Sequence, residues 1–294
     1  MRRLKPRLKA VPAVLAVGVC LFYLLAPGYW MLKSSLSFDR ELRQDPPTLV
    51  PHELTLSHFA VVLQVPGYDE QELRRNMDLR SYDRAATNIA LVASAATVVT
   101  TMLGAVTAYS LVRFARSRAR KCAMLGLLLS RMLPAIAMLI PIYAFMLWMG
   151  MLDSLIGLTA VYSGLLLPFS IWILEGFYRH FPIELEEAAK IDGASPFRVF
   201  WSVVLPLSLN GLFAAGVFVF ISIWSDFTVG LILTNTEHAF PLSVVIARSM
   251  TTFREPDWGV LNAAGVIAAA VPVMMAFLLR GLVARGRLAG ALKG

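Results

Sequence analysis

The 294-residue chain is 57% hydrophobic and only 16% charged, with a mean hydropathy of +0.66. Soluble domains are about 45–50% apolar and about 25% charged, so this composition excludes a soluble globular fold and calls for an integral membrane protein, expected to be all-α because its apolar runs reach the roughly 20 residues of a spanning helix. The formal charge of +8 does not point to nucleic acid, because the basic residues flank apolar runs, where the positive-inside rule puts them.

Residues 1–10 are basic and precede an apolar run over 11–32. About 20 apolar residues cross the hydrocarbon, and no small-residue cleavage site follows, so the run is expected to be an uncleaved first span with the N-terminus in the cytoplasm. From Lys33 to Ala86 the chain is polar, and Pro46-Pro47 and Pro51 break it. Within it, Leu54–Leu63 has the spacing of one surface helix. Gln64–Ser81 is charged and is expected to be an outer loop or short helix. His52 and His58 are expected to be solvated or capping residues rather than metal ligands.

The second span is predicted over 87–112, where Gly104 and many Ala and Thr residues form a small-residue face suited to close helix packing. Arg113, Arg116, Arg118, Arg120 and Lys121 follow without an acidic residue, which places this loop in the cytoplasm. A third span is predicted over 122–149, with Pro134 and Pro141 tolerated inside it. Arg131 falls about ten residues in, roughly 15 Å along the axis at about 1.5 Å per residue. A charge at that depth is a functional candidate, for the substrate path or an interhelix contact. A paired carboxylate or an inter-subunit packing role is the structural alternative. A fourth span is predicted over 155–178. Near its end Glu175 and Arg179 have (i, i+4) spacing and are read as structural.

Residues 181–206 form a polar island. Pro182 suits a first helical position, and Glu184, Glu186 and Glu187 put negative charge in the opening turns, where the helix dipole favours it. Glu186 and Lys190 are spaced as an (i, i+4) pair. Gly193 can take the left-handed turn that ends a helix, and Ser195-Pro196 restarts a second one as N-cap and first residue. Pro206 ends or kinks it. The expected unit is helix, glycine elbow, helix. A fifth span is predicted over 207–233, containing Trp224-Ser225-Asp226-Phe227. A loop over 234–258 follows, then a sixth span over 259–283 and a basic tail over 285–294, the transmembrane region as a whole covering 11–284.

No catalytic constellation is present. His52, His58, His180 and His238 are scattered, and neither a His-Glu-x-x-His motif nor a phosphate-binding Gly-rich loop occurs. Cys20 and Cys122 lie in or beside apolar runs, so neither a disulfide nor a metal site is expected, and no cofactor.

Several of these stretches share the pattern of one family. Glu187-Ala188-Ala189, three residues, Gly193, nine residues, then Val203-Val204-Leu205-Pro206 resembles the EAA loop of ABC-importer permeases, with Val203 where Ile is common. Trp224-Ser225-Asp226-Phe227 is similar to the Trp-Asn-Glu/Asp-Phe motif of the carbohydrate group, with Ser225 in place of Asn. Asn88-Ile89, Pro141-Ile142-Tyr143, the Leu54–Leu63 helix and the Gly-rich tail, with Leu292 for Val, match that group in the corresponding places. The resemblance is to the second permease of maltose/trehalose-type importers. It implies a type I ABC importer permease fold: six transmembrane helices, both termini cytoplasmic, in the cell inner or plasma membrane, with the EAA loop as a cytoplasmic coupling helix.

The same resemblance implies coupling to a dimer of ATP-binding cassette subunits through Glu187, Ala188, Ala189, Asp192, Gly193, Leu205 and Pro206. It also implies a second, different permease subunit and an extracytoplasmic solute-binding protein that delivers a sugar or oligosaccharide. Hydrolysis of ATP then belongs to the partner and not to this chain, whose remaining contacts are with membrane lipid and not nucleic acid. Trp224, Asp226, Phe227 and Arg131 are the candidates for the substrate path. Aromatic packing at helix spacing is the structural alternative for the first three. The competing readings are a permease for a non-sugar solute such as a polyamine or phosphate ester, an integral-membrane enzyme, and a receptor or scaffold protein.

Overall fold

The computed structural model describes residues 5–65, 82–252 and 256–291, and these are helical nearly throughout. In chain order the helices are α1 (Lys5–Ser35), α2 (Asp39–Leu42), α3 (Ser57–Val62), α4 (Tyr82–Arg113), α5 (Ser117–Ser130), α6 (Ala135–Trp148), α7 (Leu155–Arg179), α8 (Ile183–Ile191), α9 (Pro196–Leu207), α10 (Leu209–Trp224), α11 (Thr228–Leu233), α12 (Leu242–Thr252) and α13 (Trp258–Ala291). Among the described residues, four helices are long and apolar enough to cross a membrane unbroken: α1, α4, α7 and α13. The pair α9 and α10 makes a fifth crossing if it is one span, bent by 74°. The bend follows Pro206, which has no N–H to donate back into the π-helical turn Phe200–Val204.

The expected third span is interrupted. Its residues form α5 and α6, separated at Arg131–Pro134. Pro134 disfavours the helical conformation of the residue before it and cannot continue the ladder, so it starts α6 instead of sitting within a longer helix. Pro141, by contrast, stays inside α6. Arg131 is therefore at a helix end and not mid-helix. The predicted loop over 234–258 also differs, since it carries α12, whose Leu242, Val244 and Val245 are buried. The charged stretch expected as an outer loop or short helix lies, from residue 66 to residue 81, outside the described residues.

The described residues group into two compact units. One comprises residues 1–83 and 246–270, and the other 84–245 and 271–294. In the first, α1 presents apolar side chains outward between Val14 and Leu32, as lipid contact requires. Beyond it the backbone of Thr55 donates to Leu36 O at 2.9 Å, and Arg40 pairs with Glu53. Glu41 accepts from the His52 amide at 2.9 Å. His58 is buried rather than solvated, and its ring sits 2.9 Å from Ser37 O.

In the second unit the small-residue face of α4 is inward: Ala93, Ala96, Thr100, Ala105 and Ala108 are fully buried. A Cβ on Gly104 would collide with the Ser170 side chain, so glycine is what lets α4 and α7 approach there. A hydrophobic cluster built from Tyr109, Leu174, Tyr178, Phe181, Val199, Phe200, Val204 and Leu212 ties α4 and α7 to α9 and α10.

Candidate functional site

The helical elbow between α7 and α10 is set by short-range chemistry. Pro182 is the N-cap of α8, one residue before the position expected from sequence. At the other end Gly193 takes φ +81°. Its amide donates to Lys190 O at 3.0 Å, and the Ala194 amide donates to Ala189 O at 3.0 Å. That pair of bonds is a Schellman cap, and it requires the left-handed residue that glycine supplies without strain. Ala189 and Ala194 both pack against the hydrophobic cluster, which is the apolar contact that accompanies such a cap. Ser195 then accepts from the Arg198 amide at 3.3 Å and Pro196 begins α9, the restart expected from sequence.

What fixes α8 against the rest of its unit was not expected. Glu186 does not reach outward to Lys190. It is 1% exposed, with one carboxylate oxygen 2.6 Å from Arg113 Nε and the other accepting from the Tyr109 hydroxyl at 2.9 Å. Arg113 also donates to Phe181 O at 3.1 Å. Arg113, the first of the basic residues that serve as a topology signal in the sequence, is the last residue of α4 and supplies a structural cation. Glu175 is flanked by Arg120 at 3.7 Å and Arg179 at 3.8 Å, the second being the expected (i, i+4) pair.

The opposite face of the elbow is open. Glu187, Ala188, Asp192 and Gly193 are exposed, whereas Ala189 and Leu205 are half-buried against the cluster and Pro206 lies exposed at the bend. Two large apolar side chains stand out among them: Ile191 is 87% exposed and Phe197 74%.

A cavity of about 700 Å³ lies among α6, α7, α10 and α11. Arg131 and Asp226 both line it, together with Ser130, Tyr162, Phe169 and Ser222. Arg131 donates to Leu165 O at 2.7 Å. Asp226 accepts from the Tyr162 hydroxyl at 3.0 Å and from the Val229 amide at 2.9 Å, so it helps to start α11. Trp224 and Phe227 are not among the lining residues, and Trp224 stacks on Phe220 instead. The structure therefore brings together two of the four candidates and separates the aromatic pair from them. Phe169, stacked on Phe218 at 4.1 Å, supplies the aromatic wall in their place, with no sequence motif to announce it.

On the other unit, carboxylate oxygens of Asp39 and Asp257 and a ring nitrogen of His58 lie within 4.8 Å of one another. Burial, and then the like charge of Asp257, raise the Asp39 carboxyl above its ordinary value. His58 Nε2 faces a carbonyl, which can only accept, so this nitrogen carries the proton and donates to Ser37.

Apolar helices around a mainly apolar cavity that Arg131 and Asp226 both line, with a capped elbow in the same unit, fit a membrane transport component. The chain belongs to the family described as binding-protein-dependent transport system inner membrane component, whose model matches residues 100–287. It is 31% identical over 99% of its length to the trehalose/maltose transport system permease protein MalG of Thermococcus litoralis, covering 98% of that protein. To the trehalose transport system permease protein SugB of Mycobacterium tuberculosis it is 32% identical, with 97% of each chain covered. The diacetylchitobiose uptake system permease protein DasC of Streptomyces coelicolor is 29% identical over 99% of this chain and 98% of that one. In fold it matches a chain of a bacterial ABC transporter involved in the import of the acidic polysaccharide alginate, with a TM-score of 0.77 at 19% identity, over 96% of this chain and 98% of that one. Members of the family are permeases of importers and not enzymes; the ATPase is a separate subunit.

Proposed function

We propose that this chain is one permease subunit of an ATP-driven sugar importer, coupled to a dimer of ATP-binding cassette subunits through residues 181–206. The observation that carries the coupling role is the elbow itself. An exposed face bearing Glu187, Ala188, Ile191, Asp192 and Phe197 stands on a Schellman-capped helix whose other face is welded into the core. A surface that must receive a stroke from another protein needs both properties: a patch to dock and a rigid base.

In this reading the elbow and both termini are cytoplasmic, in the inner or plasma membrane. A second, different permease completes the path, and an extracytoplasmic binding protein delivers the solute. Three full-length relatives named for trehalose, maltose or diacetylchitobiose support an oligosaccharide as cargo. The cavity with Arg131 and Asp226 is this subunit's share of the path. ATP and cargo drive the cycle only if they bind its access states with different affinity.

The test is reconstitution of the chain with its partner subunits in proteoliposomes that enclose ATP on the elbow side. Labelled trehalose, maltose and diacetylchitobiose are then offered with the binding protein. Uptake of at least one, dependent on ATP and on the binding protein, is expected. Uptake of none of the three while a polyamine or phosphate ester is taken up would overturn the sugar assignment, and uptake without ATP would overturn the coupling.

A further inference from the structure

The contact at Glu186 joins segments far apart in the chain. Arg113 and Tyr109 are on α4, 73 and 77 residues from Glu186. They are four residues apart, so they lie one above the other on the same face of that helix. Each takes one oxygen of the same carboxylate, at 2.6 and 2.9 Å. Arg113 holds in addition the carbonyl of Phe181, at the entry to α8. Its side chain is 14% exposed and that of Glu186 is 1% exposed. A charge pair removed from water resists separation, because parting the two leaves an uncompensated buried charge. The neighbouring approach of Arg120 to Glu175, at 3.7 Å, is beyond hydrogen-bond range and cannot grip in the same way.

The chain path alone attaches α8 to α7 and α9. The Glu186 contact attaches it also to α4, whose small-residue face packs on α7. We propose that Glu186, Arg113 and Tyr109 are positioning residues that pass displacement of the elbow into α4, distinct from the exposed residues that dock the partner. This rests on the coupling role given above for the elbow.

The experiment uses the reconstituted importer carrying Glu186→Gln, Arg113→Lys or Tyr109→Phe. Three quantities are read: the ATPase subunit that co-purifies, cargo taken up, and ATP hydrolysed. Co-purification at the wild-type level is expected, since the exposed face is untouched. Cargo moved per ATP hydrolysed should fall, by about 2- to 30-fold for changes along a coupling path, and least for Tyr109→Phe. Arg113→Lys should fall too, because an ammonium cannot span the carboxylate and the carbonyl as the guanidinium fork does. A purely structural contact would lower the yield of complex but leave cargo per ATP in the assembled fraction unchanged. That outcome overturns the proposal. Should Glu186→Gln fail to assemble, Tyr109→Phe decides alone, and a wild-type ratio there overturns it equally. A wild-type complex without cargo-stimulated hydrolysis would instead refute the coupling role itself, and the proposal with it.

Discussion

Replacing Gly193 separates backbone geometry from side-chain bulk, because the structure leaves room for a side chain there. No atom lies within 4 Å of where a Cβ would stand, so Gly193→Ala meets no collision. Its whole cost is conformational. At φ +81° a Cβ costs about 1–2 kcal/mol, which is a factor of about 5–30 in the balance between the capped elbow and a relaxed one. Relaxation of φ would sever the bonds from Gly193 to Lys190 and from Ala194 to Ala189, and α8 would lose its fixed angle to α9. Gly193→Val should be worse, since a β-branched residue is a poor fit to the left-handed region. Gly193→Asn should be milder than either, because Asn tolerates that region. The assay is ATP-dependent cargo uptake by the reconstituted importer, with membrane insertion of each variant checked by fractionation. The expected order is Gly, then Asn, then Ala, then Val, at equal insertion. Uptake by the Ala and Val variants at the Asn level would refute the reasoning. An Asn variant as poor as Val would show that the exposed surface, and not φ, is what position 193 contributes.

Topology is tested on a background with Cys20 and Cys122, both free and exposed, replaced by Ser. An impermeant thiol reagent added outside intact cells should label Gln44→Cys and Glu237→Cys but not Arg118→Cys, and labelling of the last would reverse the orientation proposed for the elbow. At Asp153, burial disfavours the charge, but the Thr236 hydroxyl and the amides of Asn235 and Thr236 donate to it, and the balance lowers its pKa. A lowered carboxylate pKa contributes stability above the unfolded value that is lost as pH falls through the folded one. Hydrogen exchange at Asn235 and Thr236 should therefore lose protection on acidification below the ordinary aspartate range, and Asp153→Asn should show weak protection at every pH. Arg131→Gln keeps a donor for Leu165 O but removes the charge from the cavity. Cargo uptake by an intact complex should fall if that charge serves the path, whereas unchanged uptake would leave Arg131 a packing residue.

The elbow was legible in the sequence because its determinants are local. A glycine after a short polar helix, then Ser-Pro, specify the cap and the restart within a few residues, and both are where the sequence places them. The partner of Glu186 was not legible for the converse reason. Lys190 stands four residues away, at the spacing that pairs on an exposed helix face, but Glu186 is buried while Lys190 is exposed, and the cation that reaches Glu186 comes from residue 113. The break in the third span lay between these extremes. Pro134 and Pro141 look equivalent in a list of residues, but one begins α6 and the other sits inside it. Which proline breaks a membrane helix depends on whether neighbouring groups re-satisfy the backbone. Arg131, turned to Leu165 O at that point, is a tertiary fact. The helix α12 was missed although its apolar residues are grouped, because an expected loop absorbed them.

Glu186 and Glu187 show how docking and transmission can be kept apart on one short helix. Successive residues on an α-helix are about 100° apart, since 3.6 residues complete a turn, so two adjacent carboxylates face in different directions. Glu186 is buried among α4 groups, while Glu187 is exposed beside Ala188 and Ile191. A charge reversal at Glu187 changes only the outer surface, where it also opposes the helix dipole near the N-terminus. Glu187→Lys should therefore insert normally and lose the ATPase subunit on purification. Glu186→Gln should retain that subunit and lose cargo per ATP. The two assays, co-purification and stoichiometry, are independent, so each variant serves as the control for the other. If both variants lost the ATPase subunit to the same extent, the two faces would not be functionally separate, and the contact between Glu186 and α4 would be part of the docking surface's foundation and not a path out of it.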